Sequence, residues 1–214
     1  MGIMMLADPA FGETEGGLQA PHVIKVNGVY KMFYGDWLNI CLAESVDGKT
    51  FARQLMPNGK AGMFSEGTGT RDPMVLRIGG LFYCYYTANP DGLGADYVRT
   101  SKDLRNWSPS RKVAFGGAAG TGPYSAECPF VYYHKESGDY YLYRTQKYGQ
   151  KAQMSVYRSK DPMNFGVNND SHLVGTMPYA APEIVEDQGQ IYLAVLLPGL
   201  KGIQIAKLKW ALKQ

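Results

Sequence analysis

The chain carries little net charge, few cysteines and no long apolar run. Its net charge is +3 and its Lys and Arg residues form no basic stripe, so a nucleic-acid partner is not expected. The apolar stretches have the length of strands and fall short of the ~20 residues of a membrane-spanning helix, so no membrane partner is expected. Residues 1–6 lack the basic region and the full apolar core of a signal peptide, which leaves the compartment open.

Metal-ligand spacing is also missing. The three cysteines are an odd number without such spacing, which predicts free, mostly buried thiols rather than a disulfide: Cys41, Cys84 and Cys128. The histidines share no local ligand spacing either: His22, His134 and His172. A zinc site is therefore not expected.

Glycine and tyrosine are abundant. The 214 residues include 26 Gly and 16 Tyr, and charged residues make up only 19%. This composition is typical of a globular, turn-rich, β-leaning protein, and the length suits one substantial core. No segment has the periodicity of an amphipathic helix of useful length. We therefore predict an all-β chain with a single domain over residues 1–214.

One hairpin pattern occurs four times along the chain. Each copy starts with a proline, continues as an apolar strand, turns at a glycine and returns as a second strand, tyrosine-rich in most copies; the prolines are Pro21, Pro73, Pro129 and Pro182. They lie 52, 56 and 53 residues apart. A period in this range is typical of β-propeller blades, and it predicts four antiparallel, four-stranded blades around one axis.

The fourth copy is short. Its third strand, predicted at residues 203–208, is followed by no fourth strand, whereas residues 3–7 form an apolar strand-like segment ahead of the first hairpin. We predict that this segment completes the last blade and closes the ring, because closure protects sheet edges.

Charged residues stand beside the prolines, where the copies differ. The innermost strand of a blade begins near the axis, so we expect Asp72, Glu127, Glu183 and His22 to point into one central cavity. Carboxylates crowded in a cavity raise one another's pKa, which yields the acid and the base or nucleophile of a glycosidase. Asp72 and Glu127 are interpreted as equivalent positions of adjacent repeats. The alternative is that the charges solvate the channel or pair with arginine.

Further residues are candidates for substrate binding. Trp37 offers a flat face for a sugar ring at the cavity rim, or is a buried aromatic at a blade edge; Asp36 precedes it. Arg144 is expected to reach the cavity and pair with Glu127. His22 contacts a sugar hydroxyl or a central ion, or packs in the interior. The full candidate set for substrate binding is His22, Asp36, Trp37, Arg71, Arg144 and Glu183.

The chain resembles the five-bladed β-propeller glycoside hydrolases of families 32, 43, 62 and 68 and their relatives. Residues 70–73 match an Arg-Asp-Pro motif and residues 126–129 match a Glu-Cys-Pro motif, within a resemblance from about Leu18 to Trp210. The resemblance implies that Asp72 stabilises the transition state and tunes the acid, and that Glu127 is the general acid. It also implies a carbohydrate substrate containing pentose or fructose, and no cofactor, although a structural cation on the axis is compatible with it.

The repeat number departs from that family. Its members have five blades, and the first carries an Asp that acts as nucleophile or base, whereas this chain has four repeats. Three interpretations stay open: a shortened member, a four-bladed relative whose third carboxylate lies elsewhere, or a degenerate propeller that binds glycans without cleaving them. Candidates for the third carboxylate are Asp8, Asp36 and Glu183.

Overall fold

The structure is a computed structural model that describes residues 3–210. Four antiparallel sheets stand in a ring, which confirms the predicted four-bladed β-propeller. The helical content of the described residues is five 3-10 turns: Pro9–Phe11, Pro90–Gly92, Gly117–Ala119, Gly149–Lys151 and Pro198–Leu200. None of these is long and apolar enough to cross a membrane.

The sheets follow one another along the chain, each with its first strand innermost. The first sheet contains β1 (Gln19–Val26), β2 (Val29–Gly35), β3 (Ile40–Ser45), β4 (Ala52–Arg53) and β5 (Gly62–Phe64), the last paired with β3. The second contains β6 (Arg71–Ile78), β7 (Leu81–Ala88), β8 (Ala95–Ser101) and β9 (Arg111–Ala114). The third contains β10 (Glu127–His134), β11 (Asp139–Lys147), β12 (Gln153–Ser159) and β13 (Leu173–Met177). The fourth contains β14 (Glu183–Asp187), β15 (Gln190–Leu196) and β16 (Ile203–Lys207).

Short turns close the inner hairpins. Asn27 and Gly28 both have positive φ, 51° and 83°, between the paired ends of β1 and β2. Two such residues form the turn whose twist matches that of an antiparallel pair. After β3, the Ser45 hydroxyl accepts the Gly48 amide at 2.9 Å and the Asp47 carboxylate accepts the Thr50 amide at 2.8 Å. These side-chain bonds to backbone amides close the tight turn that follows β3.

Apolar side chains fill the spaces between sheets. Phe33 and Val75 belong to the cluster between the first and second sheets, while Phe130 and Ile184 belong to the cluster that joins the second, third and fourth. All three cysteines are free, and Cys41 and Cys84 are buried, as predicted.

The N-terminal segment does not close the ring. Residues 3–7 form no strand, and within the described residues the fourth sheet has three strands, so the predicted closure by this segment is wrong. The segment lies against the first sheet instead: Arg53 of β4 donates a hydrogen bond to the Leu6 carbonyl, and Met5 packs on the cluster around Met32. Glu13 fastens the following loop there, since its buried carboxylate accepts the Asp8 amide and pairs with Arg53, both at 2.8 Å.

Candidate active site

Each innermost strand begins with the same irregularity. The residue before the proline has a positive φ in all four sheets: Ala20 46°, Asp72 55°, Cys128 49° and Ala181 49°. Around this residue the strand pairing shifts register in β1, β6 and β10. Such bulges redirect side chains, and non-glycine residues rarely adopt this conformation. Every sheet therefore offers one strained position at the same end of the ring.

Asp72 and Glu127 occupy different positions relative to the bulge residue of their strands. Asp72 is the bulge residue of the second sheet, whereas Glu127 precedes the bulge residue Cys128 of the third. Arg71 is the counterpart of Glu127, because each pairs with a threonine of the neighbouring strand. The interpretation of the two carboxylates as equivalent is wrong: counted from the prolines, they stand one residue apart.

The two carboxylates meet at one arginine. Arg71, 1% exposed, donates from Nη2 to Glu127 Oε1 at 2.6 Å and from Nε to the same oxygen at 3.1 Å. Its Nε lies 3.7 Å from Asp72 Oδ2, and its Nη1 donates to the Gly69 carbonyl at 2.6 Å. The alternative raised from the sequence, in which the carboxylates pair with an arginine, is thus present at Arg71. This pairing joins the second and third sheets.

The neighbourhood of Arg71 leaves little room. Gly35 of the first sheet lies against its backbone, and a Cβ at that position would come within 2.8 Å of the Arg71 Cα atom. The guanidinium carbon lies 5.2 Å from the centre of the Trp37 ring. Trp37 is 42% exposed, so one face of this indole is available at the rim of the site.

A chain of contacts continues from Asp72 through the third sheet. The Cys128 amide donates to Asp72 Oδ2 at 2.9 Å, and the Cys128 Sγ atom lies 3.4 Å from the Tyr148 hydroxyl. Tyr148 follows β11 as Trp37 follows β2, at the same end of the ring. Tyr148 is not among the residues that the sequence motifs indicate. The signal that identifies it is an aromatic residue within two positions of the end of a returning strand, as for Trp37.

Burial raises the pKa of both carboxyl groups. For Glu127 the raising effect of burial is opposed by Arg71 and by the Tyr148 hydroxyl, and the charge of Asp72 raises the pKa further. For Asp72 the raising effect of burial is opposed by the charge of Arg71 and by the Cys128 amide. The site therefore holds two coupled acids that ionise less readily than exposed ones.

Arg144 does not pair with Glu127. Its Nε lies 3.3 Å from Asp96 Oδ2 and donates to the Ser125 carbonyl at 2.8 Å, and both charged residues are fully buried. The predicted pair fails because the two residues of the third sheet take different partners in the second: Arg144 pairs with Asp96, whereas Glu127 pairs with Arg71. Burial raises the pKa of Asp96 to about 7.

His22 and Glu183 each follow the proline of their own sheet. The His22 ring packs edge-on against Phe130, with centroids 6.3 Å apart, although the two lie in non-adjacent sheets. Its Nε2 lies 3.2 Å from the Val75 carbonyl, and burial lowers its pKa to about 4. His22 is thus a neutral packing residue inside the ring. The Glu183 side chain reaches solvent, while partial desolvation raises its pKa to about 7.

The carboxylates of the remaining acidic candidates are engaged within their own loops. Asp36 is fully buried, and its Oδ1 atom accepts the amides of Leu38 and Asn39 at 2.9 and 2.6 Å, so the carboxylate shapes the loop that carries Trp37. Asp8 caps a 3-10 turn beside Arg53, on the outer side of the first sheet. Among residues 3–210, no group of three or more His, Cys, Asp or Glu side chains is suited to hold a metal ion.

Comparison with known proteins finds similarity in structure alone. No protein-family model matches the chain, and no curated protein sequence matches it. The endo-arabinase of Bacteroides thetaiotaomicron superposes with a TM-score of 0.75 at 14% identity, over 98% of this chain and 80% of that one. The endo-1,4-β-xylanase of the same organism gives 0.70 at 17% identity, over 92% of this chain and 72% of that one.

A more distant neighbour is the family 32 β-fructofuranosidase of Bombyx mori. It gives a TM-score of 0.61 at 17% identity, over 82% of this chain and 42% of that one. The chain therefore has the fold of the β-propeller glycoside hydrolases of families 43 and 32. It spans only part of the length of each.

Proposed function

We propose that the chain is a glycoside hydrolase acting on a pentose- or fructose-containing oligo- or polysaccharide. The observation that carries the proposal is the Arg71 guanidinium, which joins Asp72 and Glu127 across two sheets. The structural neighbours named as arabinase, xylanase and fructofuranosidase support the same class of reaction and substrate.

Glu127 is the proposed general acid. Both hydrogen bonds from Arg71 go to Oε1, so Oε2 is the oxygen that is left to carry a proton. Burial and the charge of Asp72 raise the pKa of Glu127, which favours the protonated form that cleavage of a glycosidic bond requires. Asp72 in turn is fixed by the Cys128 amide and adjusts that pKa.

The third role, base or nucleophile, falls to Glu183 in preference to Asp8 or Asp36. Glu183 stands on an innermost strand, is in contact with solvent, and has a pKa near 7, where a carboxylate can accept a proton from water. Asp8 lies on the outer side of the first sheet, and the Asp36 carboxylate accepts a hydrogen bond from an amide of its own turn.

The test is hydrolysis of aryl α-L-arabinofuranosides, β-D-xylosides and β-D-fructofuranosides by wild type and Glu127→Gln. Loss of a general acid should lower kcat by about 10²–10⁴-fold. The loss should be smallest for dinitrophenyl glycosides, whose leaving groups need little protonation. Glu136→Gln, in the exposed turn of the same hairpin, is the control and should leave the rate unchanged.

A second function is favoured by one specific observation. Among the described residues, Arg71 forms ion pairs only with Asp72 and Glu127, and none of Asp8, Asp36 and Glu183 forms an ion pair with it. A glycan-binding module would bind these saccharides without cleaving them. If neither wild type nor Glu127→Gln hydrolyses these glycosides but both bind them, the result supports this alternative. If the two proteins are equally active, Glu127 is not the general acid.

A further inference from the structure

A second concave site opens beside Glu127, between the third and fourth sheets. It is a cavity of about 430 Å³ between the turns Gly149–Lys151 and Pro198–Leu200. Its side chains are almost all apolar: Tyr148, Ala180, Leu196, Leu197 and Leu200. Leu200 is 78% exposed and holds a positive φ of 57°, so an apolar side chain stands in solvent on a strained loop.

Both walls of this cleft contact residues of the third sheet that adjoin Glu127. On one side the Tyr148 hydroxyl lies 3.4 Å from the sulfur of Cys128, the residue after Glu127. On the other side the Ala181 amide donates to the Thr145 hydroxyl at 2.9 Å, and Thr145 is the ladder partner of Glu127. Asp72 approaches Glu127 from the second sheet. Glu127 therefore lies between Asp72 and the cleft.

A general acid protonates the oxygen that leaves with the departing group, so that group lies beyond the acid, away from the residue that holds the cleaved sugar. We propose that the cleft lined by Tyr148, Leu197 and Leu200 binds the leaving group of the glycoside, as a ring with a flat apolar face. This inference rests on the proposed hydrolase function. Apolar walls with one hydroxyl group suit a phenolic ring or the apolar face of a second sugar.

The test measures binding, in the Glu127→Gln background, of methyl and phenyl β-D-xylopyranosides, methyl and phenyl α-L-arabinofuranosides, and xylobiose. The affinity measured by calorimetry should be roughly ten-fold higher for each phenyl glycoside than for its methyl counterpart, because the phenyl ring is buried in the cleft. Leu200→Asn should weaken phenyl glycoside binding on the order of five-fold and leave methyl glycoside binding unchanged. Comparison of xylobiose with the phenyl xyloside tells which ring the cleft prefers.

Leu200→Asn should fold normally, because the side chain is exposed and asparagine tolerates a positive φ. The matched control is Leu93→Asn, an exposed leucine of the corresponding loop in the second sheet, which should change neither affinity. The inference would be overturned by equal binding of phenyl and methyl glycosides, by binding of neither, or by a phenyl preference that survives Leu200→Asn. Hydrolysis by wild type without a Leu200-dependent phenyl preference would refute this subsite alone. That preference without hydrolysis by wild type would refute the proposed function, and the cleft would then be a ring-binding site of a non-catalytic module.

Discussion

Removal of the Arg71 side-chain charge is the most direct perturbation of the candidate site. Arg71→Met keeps much of the side-chain volume but leaves the buried carboxylates of Asp72 and Glu127 without their shared cation. Breaking a buried ion pair by removing one partner costs about 3–5 kcal/mol. With a urea m value of about 2.5 kcal/mol/M, the unfolding midpoint should fall by roughly 1–2 M at pH 7.

The loss should depend on pH in one direction. Arg71 lowers the pKa of both carboxyl groups, so the variant raises each folded pKa further above its unfolded value. An acid whose folded pKa is raised destabilises the fold above that pKa, and the penalty disappears as falling pH protonates it. The deficit of Arg71→Met should therefore be large at pH 8 and smaller at pH 5.

Arg77→Met is the matched control, because Arg77 is an exposed arginine of the same strand. It should change the free energy of unfolding by less than about 1 kcal/mol at either pH. Equal effects of the two substitutions, or a deficit of Arg71→Met that grows as the pH falls, would refute the reasoning.

Three further outcomes are expected. Tyr148→Phe removes a hydroxyl that lowers the pKa of Glu127, so the alkaline limb of the pH–rate profile should move to higher pH; an unmoved limb would separate Tyr148 from the acid. The His22 ring protons should titrate near pH 4 by NMR, and stability should decline as pH falls from about 6.5 towards 4, because the unfolded chain binds the proton more readily. Ala181→Gly should stabilise the protein by up to about 1 kcal/mol in urea unfolding, since its φ of 49° suits glycine, whereas Ala43→Gly in the regular strand β3 should destabilise it; effects of the same sign would contradict this.

The fold was predictable because its signals are local and repeated. A proline within two residues of the start of each inner strand and a two-residue turn such as Asn27-Gly28 act over short stretches of chain, so four sheets follow from the sequence. The N-terminal segment was assigned wrongly because its placement depends on distant partners. Arg53 holds the Leu6 carbonyl, and Glu13 binds the same arginine from 40 residues away. An apolar segment of five residues carries no mark of such contacts.

The site was predictable only in part, for the same reason. The positions of Asp72 and Glu127 beside their prolines place both at one end of the ring. Which arginine lies between them depends on the direction in which each side chain leaves its strand. Arg144 and Glu127 both reach the second sheet, but Arg144 pairs with Asp96 and Glu127 with Arg71, and no local sequence pattern distinguishes these two pairings.

The bulge before each proline explains why this end of the ring can hold chemistry. In regular strands, neighbouring residues such as Arg71 and Asp72 would point to opposite faces. The positive φ of Asp72 turns its carboxylate so that it accepts the Cys128 amide of the next sheet, while Arg71 reaches Glu127 of that same sheet. Two adjacent residues thus engage one partner strand: the Cys128 amide donates to Asp72, and Arg71 donates to the Glu127 carboxylate. The strain recurs at Ala20 and Ala181, where no charge is carried, so the fold supplies this geometry in every sheet and the sequence uses it for ionisable groups where the second and third sheets meet.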